Sequence, residues 1–588
     1  MFAPLLCLAL LANEALSVEL VRATYDLKSV LPAVTEPVLA VQTLPMIPHR
    51  DQDYERISDD KFRFPAESLV DLLMQIVTPE EWEYEGRRLE LLDGGRRLVV
   101  EAPAAVQSEV VRFLDYFTQA ANARIGVRIQ VFRGAFGTNA ARPPAGRLDP
   151  EQLEAVGKLV QGGELTPAAN FGMQLLSGYP SSSMDIVNHS FLRDYDVEIA
   201  QSATATEPIV DQYRTGVELV ARADRDTSHQ GDQVLLSLVV RHSFAAGPPQ
   251  RLDARALSRI AVDRVMESDS GGQLESPRLS FATLAGSVRL QRGEGAGWLA
   301  APVSGGDAAG GTYVLMQVEE LPALPEPFVS GPRLLALADL AGGFSGGFRR
   351  PEDSGLEFGG SYQREWQRCL PAELTLGSYR EHSREGLDEL AYSVRNMQDE
   401  EAAVSIGLEG NLAYVFGDPS PARAAMSQLI GLIPRRQRSP GLSVSLAPAS
   451  EPATRSSAWL ALTADAGEGF AACGAQETRI IGYGVEVANN SSVFDPEVEA
   501  FVDGWAARLE VAEELNQGGT VAFLLKTHLR EEPGREQPAL LFGMGALSLP
   551  SFREGQVEAR WTGREERVLG EIRLAGGVPM QVLGRGLD

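Results

Sequence analysis

Hydrophobic and polar positions divide the chain into short helical faces and runs of alternation. Within Pro65–Val77, Leu69, Leu72, Leu73 and Ile76 recur at helical spacing, which predicts an amphipathic helix. Arg88–Leu92 and Arg97–Glu101 read as two strands around Asp93-Gly94-Gly95, a hairpin-type turn. Pro103–Phe117 predicts a second helix, with Val106, Val110, Phe113, Leu114 and Phe117 on one side. Val127, Ile129 and Val131 alternate as a strand, and Ala23–Leu27 supplies a leading one. The order is β-α-β-β-α-β. Farther along, Gln233–Arg241, Thr312–Val318 and Thr520–Thr527 predict strands. Gln233–Arg241 is almost continuously apolar, as in a strand covered on both faces, and lacks the alternation of a membrane barrel with a polar lumen.

The same order returns. Leu337–Leu340 matches Thr24–Leu27, and Leu387, Leu390 and Val394 match Leu69, Leu72 and Ile76. Leu412–Phe416 followed by Asp418-Pro419 matches Leu98–Glu101 followed by Ala102-Pro103. Leu429, Ile430 and Ile433 match Phe113, Leu114 and Phe117, and Gly441–Leu446 matches Gly126–Val131. Asp194–Ala200 then matches Gly482–Ala488, and the run continues to Gly216 against Gly504 at a constant offset of 288 residues. Leu279-Ser280 to Val288 resembles Leu547-Ser548 to Val557. A shared order of matches is the mark of an internal duplication. The expected fold class is therefore α+β: a duplicated pair of a small βαββα module and a β-rich module. The expected boundaries are 18–132 and 133–325 for the first pair, and 326–447 and 448–588 for the second. Pro-rich Leu321–Pro327 and Gly-rich Gly342–Gly347 punctuate the join.

The N-terminus changes the compartment. Phe2–Ala12 is apolar over the length of a signal-peptide core, and Ala15-Leu16-Ser17 offers small residues for cleavage before Val18. Residues 1–17 are expected to be a signal peptide and the protein to be exported, to the periplasm or the outer membrane. No basic residue precedes Arg22, a departure from the usual signal pattern. Cys369 and Cys473 would remain after cleavage, as one disulfide or as two buried thiols.

Composition sets outer limits. The 588 residues exceed what a single core holds, and 44% hydrophobic with 23% charged residues is ordinary globular composition. A net charge of −27, from 53 basic and 80 acidic residues, argues against a nucleic-acid partner. Arg435-Arg436-Gln437-Arg438, the densest basic run, reads as a solvated loop.

Candidate chemistry is sparse. His49, His189, His229, His242, His382 and His528 show no metal-ligand spacing. Gly343-Phe344-Ser345-Gly346-Gly347 matches a nucleophile elbow in letters, but Pro351 denies it the following helix. Gly293–Gly297 lacks the Lys-Ser/Thr of a phosphate loop. Glu80-Glu81 follows Pro79 as a solvated turn, with Trp82 and Tyr84 as core-edge aromatics. Asn188-His189-Ser190 and Asn490-Ser491-Ser492 fit the glycosylation sequon. No catalytic, cofactor-binding or metal residue is assigned, and no small-molecule substrate is expected.

The helix at 66–77, the double strand at 88–101 and the Leu98-Val99-Val100-Glu101-Ala102-Pro103 step into a helix resemble the ring-building N-domains of bacterial secretins. Asp194–Val220 followed by Gln233–Arg241 is similar to the core strands of that family. Tyr25-Asp26-Leu27 with Trp82 resembles secretin-like proteins of planctomycete-type bacteria. The Pro-Leu-Gly-Asp-Ile-Pro type of stretch that ends secretin pore domains is missing from 310–330 and 570–588, and the paired modules occur twice. The resemblance implies a non-catalytic envelope protein with a structural or assembly role in a secretion or pilus-type system. Its implied partners are further copies or other envelope proteins, with membrane contact left open. The alternative is an exported enzyme or ligand-binding protein on a duplicated β-rich scaffold.

Overall fold

The computed structural model describes residues 19–587, apart from the stretches 48–60, 261–271, 350–372, 377–391 and 393–403 and several shorter ones. The first elements are β1 (Leu20–Asp26), α1 (Ala66–Ile76), β2 (Arg88–Leu92), β3 (Arg97–Pro103), α2 (Ala104–Ala121) and β4 (Arg124–Gly134). Strands β1, β3 and β2 form an antiparallel sheet in that order. The helices bury Leu69, Leu73, Ile76, Val110, Phe113 and Phe117 against Leu98 and Val100 of that sheet. Gln107 fastens α2 to the sheet: its amide donates to Val21 O (2.7 Å) and Val100 O (2.9 Å) and accepts from Tyr25 OH (2.6 Å). A buried amide is tolerated there because its donors and acceptor are used.

The chain continues with α3 (Pro150–Gln161), β5 (Leu165–Leu176), β6 (Ser181–Ala200), β7 (Ala203–Asp226), β8 (Gln233–Ala245), β9 (Arg278–Gln291), β10 (Gly295–Ala300) and β11 (Gly311–Glu320). A second small sheet holds β12 (Arg333–Asp339), β13 (Val404–Glu409) and β14 (Leu412–Gly417) under α4 (Pro419–Leu432). The last strands are β15 (Gly441–Pro448), β16 (Ser457–Leu462), β17 (Glu468–Ala488), β18 (Ser491–Ala512), β19 (Thr520–Arg530), β20 (Phe552–Thr562), β21 (Arg567–Arg573) and β22 (Pro579–Leu587).

Two large antiparallel sheets dominate. One runs β5-β4-β11-β10-β16-β15-β22-β21, the other β6-β7-β8-β9-β17-β18-β19-β20. They share one core, to which Ile129, Trp298, Val314 and Val444 come from the first sheet and Leu219, Leu236, Leu284, Leu509 and Phe523 from the second. Each sheet is a four-strand order stated twice. In the first sheet each set of four stands second, first, fourth, third in chain order. In the second sheet each set stands in chain order throughout.

The expected α+β class with duplicated βαββα modules is not what forms; the protein is mostly β. The individual elements of 66–134 lie where periodicity puts them; β1, α1, β2, β3 and α2 pack around one three-stranded sheet, but β4 leaves it. Strand β4 inserts between β5 and β11, with Ile129 opposite both Phe171 and Met316. The expected boundary at 132 therefore falls inside a core strand, and that at 447 falls inside β15. The helix expected around Leu387, Leu390 and Val394 lies outside the described residues. Gln233–Arg241 is buried throughout, as its unbroken apolar run requires. Among the described residues no helix is long and apolar enough to cross a membrane.

Candidate assembly interface

Two hairpins are far longer than the strands around them. Strands β6 and β7 have 20 and 24 residues, β17 and β18 have 21 and 22. At ~3.3 Å per residue such strands reach about 70 Å, against a usual ~17–20 Å. Strand β8 pairs with β7 only from Gly216 to Asp226, and β19 pairs with β18 only from Gly504 to Ala512. Beyond those glycines each hairpin runs on as a ribbon; among the described residues its further ladder partners are the short strands 46–47 and 259–260 and, opposite Ala475–Glu477, the Arg278–Ser280 start of β9.

The departure point is built alike in both. Gly216 has φ +111°, and a Cβ there would come within 2.1 Å of Asp185 O. A Cβ on Gly504 would lie 2.3 Å from Cys473 O. Only glycine lets the paired backbones approach so closely. Above each glycine the ladder slips by one residue, between Leu192 and Asp194 in β6 and between Ile480 and Gly482 in β17. Such bulges bend a ribbon and tighten its twist.

Between the halves lies a buried seam. Strand β9 pairs with β17 from Arg278↔Glu477 to Ala285↔Phe470, and β10 pairs with β16 through Leu299↔Ala461 and Ala300↔Leu460. Residues 463–465 clasp it. Thr463 Oγ1 accepts from Trp298 Nε1 (2.9 Å) and donates to Ser287 O (2.8 Å). The fully buried Asp465 carboxylate accepts from Arg147 Nη2 and from the Arg289 N–H, each at 2.6 Å. Trp505 Nε1 donates to Ala301 O (2.9 Å), and its ring meets Trp459 edge to face at 4.4 Å. Charge-assisted bonds to a desolvated carboxylate are strong, and removing either partner strands a charge.

Other titratable groups are buried in structural settings. Arg241 Nη1 donates to Leu44 O (2.6 Å), and Nη2 lies 2.9 Å from Glu218. Burial lowers the Arg241 pKa, against the opposing pull of Glu218. His242 Nδ1 is 2.9 Å from Thr312 Oγ1, and burial, with the Arg133 charge second, pushes its pKa down to about 4. Cys473 is a free, buried thiol whose pKa burial raises. Its sequence-suggested partner Cys369 lies outside the described residues.

The residues singled out by sequence are dispersed. Glu80 and Glu81 sit on a 3-10 turn, with Glu81 ion-paired to Arg87. Trp82 Nε1 donates to Val77 O (2.7 Å), while Tyr84 is exposed beneath the Arg87 guanidinium. His189 stacks on Tyr213 and His528 on Phe552. Gly293 turns the chain between β9 and β10 at φ +83°. Residues 343–347, 435–438, His49, His229 and His382 lie outside the described residues. Among the described residues no three His, Cys, Asp or Glu side chains are grouped to hold a metal ion. Sequence reasoning passed over Asp465, Thr463 and Arg147, which no spacing links.

No family model matches the chain, and no curated protein matches it. Solved structures to which it is similar over part of its length include two of Salmonella and one of Escherichia coli. The β-barrel of the InvG secretin domain, from the Salmonella SPI-1 injectisome, is 11% identical over 52% of this chain and 90% of that one, at a TM-score of 0.20. An atomic model of the SPI-1 basal-body proteins InvG, PrgH and PrgK gives 10% identity over 54% of this chain and 66% of that one, at 0.19. The type II secretin GspD of enteropathogenic Escherichia coli gives 12% over 43% and 84%, at 0.17.

Proposed function

We propose that this chain is a non-catalytic assembly protein of the cell envelope, secretin-like and exported, with a structural role in a secretion or pilus-type system. The observation that carries the reading is the pair of ribbons leaving the sheet at Gly216 and Gly504. A two-stranded ribbon is marginal in water on its own and gains stability from strands or surfaces laid beside it. Two such ribbons on one chain are a reason to associate, and association needs shape and strand edges, with no reacting group. On this reading residues 1–17 are removed on export, the repeated strand order reflects an internal duplication, and the partners are further copies or other envelope proteins.

Light scattering on the purified mature chain tests the proposal. Particles of many chains support it, and a stable single-chain mass across the accessible concentration range defeats it in favour of an exported enzyme or binding protein. N-terminal sequencing of protein from its native host tests export separately. A start near Val18 is expected, and cytoplasmic material beginning at Met1 would remove that part.

A further inference from the structure

The seam also defines what the outer ends of the sheets lack. Ladder partners identify the positions that correspond between halves. Gly216 pairs with Ser243, which pairs with Phe281; Gly504 pairs with His528, which pairs with Glu554. Strand β20 thus holds in the second half the place that β9 holds in the first. Strand β6 likewise holds the place of β17, since their bulges and glycines stand at one offset. In the other sheet β21 corresponds to β10 and β5 to β16.

Corresponding strands differ in cover. Leu279 to Ala285 of β9 and Phe470 to Gly474 of β17 are buried because they face each other across the seam. At the ends of the sheets several counterparts are exposed, although Val557 of β20 stays buried. Met184 and Val187 of β6 are 62% and 57% exposed, Val568 of β21 is 54% exposed, and Gln556 and Glu558 of β20 are exposed. The open edge 181–189 contains neither lysine nor proline, the residues that blunt an edge strand.

We infer that the β20/β21 end of one chain receives the β6/β5 end of a second copy, in the register that the seam already uses. This rests on the assembly reading and names its interface. Thr283 stands opposite Ala472 at the seam, so Gln556 stands opposite Met184 of the next copy. Phe281 stands opposite Gly474, so Glu554 stands opposite Ile186 of the next copy. The two ends are different surfaces, so the contact is heterologous: repetition closes a ring or extends a filament, and a two-fold dimer does not satisfy it. Each chain adds two consecutive sets of strands to the assembly.

Cysteine pairing tests this on the full mature chain. Met184→Cys and Gln556→Cys, both at exposed positions, are purified separately and mixed under mild oxidation, with wild type as the blank. Chains joined through these two cysteines should form in the mixture and not in either variant alone. Equal cross-linking of Met184→Cys with itself would overturn the inference. So would no cross-linking in the mixture while light scattering reports many-chain particles, a result that leaves the assembly reading standing. A single-chain mass defeats both. Val187→Lys, which alters an exposed side chain and leaves the core intact, should shift the particles to single-chain mass; unchanged particles would count against the edge.

Discussion

The two halves run their strands in one order but bury different groups. In the first half the outer face of β7 and β8 is covered by the segment around Val41 and Leu44. Beneath it Glu218, Arg222, Asp224 and Arg241 are buried, with Arg241 reaching Leu44 O and Arg222 Nε 3.0 Å from Asp224. The matching positions of the second half hold Ala506, Glu510, Ala512 and Lys526. There Glu510 pairs with Arg508, and both remain more than a third exposed. Strand order follows the apolar alternation that the halves share, whereas the polar residues follow whatever lies over each face. A charge that loses water must gain a partner, so the covered face carries a buried, paired network while the pair on the open face stays in water.

The sharpest way to break this picture is at the seam, where both halves meet. Asp465→Ala removes the acceptor for Arg147 and the Arg289 N–H, and a loss of about 3–5 kcal/mol is expected. Urea unfolding should show it, with amide exchange accelerating first in β9 and β17. Unchanged exchange there would mean the clasp holds nothing together.

Covered and open faces can then be compared directly. Arg241→Met deprives Glu218 of a buried partner and should cost about 3 kcal/mol, while Lys526→Met should stay within about 0.5 kcal/mol. Equal costs, read from urea midpoints, would erase the distinction between the halves.

Acid should also separate them. His242 stays neutral in the fold, so falling pH protonates the unfolded chain first, starting near 6.5, while the folded pKa is about 4. Stability should therefore fall between those values and level off below, by about 3 kcal/mol in all. Thr527 holds the corresponding place in β19 and does not titrate. His242→Asn should flatten the slope between pH 6.5 and 5; a slope that persists assigns it to other groups.

A smaller contrast concerns the hairpin bases. Gly216→Ala meets a carbonyl at 2.1 Å together with an unfavourable φ, and Gly504→Ala meets backbone alone, a carbonyl at 2.3 Å and the Gly474 Cα at 2.7 Å. The first should cost about 2 kcal/mol and the second less, measured by thermal melting.

Local signals were legible in the sequence where one face of an element is buried. Helix α2 carries Val110, Phe113 and Phe117 toward a sheet, and periodicity alone places it. The matched run from Asp194 to Gly216 against Gly482 to Gly504 marks two hairpins whose glycines and bulges do stand at that spacing. What escaped was the share of strand. The stretch Ser181–Ala200 mixes serine, acids and β-branched residues without a continuous apolar face, so it does not announce one 20-residue strand. The α+β reading followed from that gap, because the helices advertise themselves and such strands do not. The seam escaped for another reason: Arg147 and Asp465 lie 318 residues apart, and only the completed sheets bring them together.

Cys473 turns that seam into a clock. Its strand partners are Ala282 across the seam and Trp505 within its own hairpin, so no reagent reaches the sulfur while those ladders are intact. Alkylation at this position, followed by peptide mass, therefore reports the opening of the seam. Where closing outpaces the reagent, the labelling rate gives the free energy of parting the two halves. Where it does not, the rate is that of the parting itself. One native sulfur atom thereby records how often the chain comes apart at its middle, with no probe introduced.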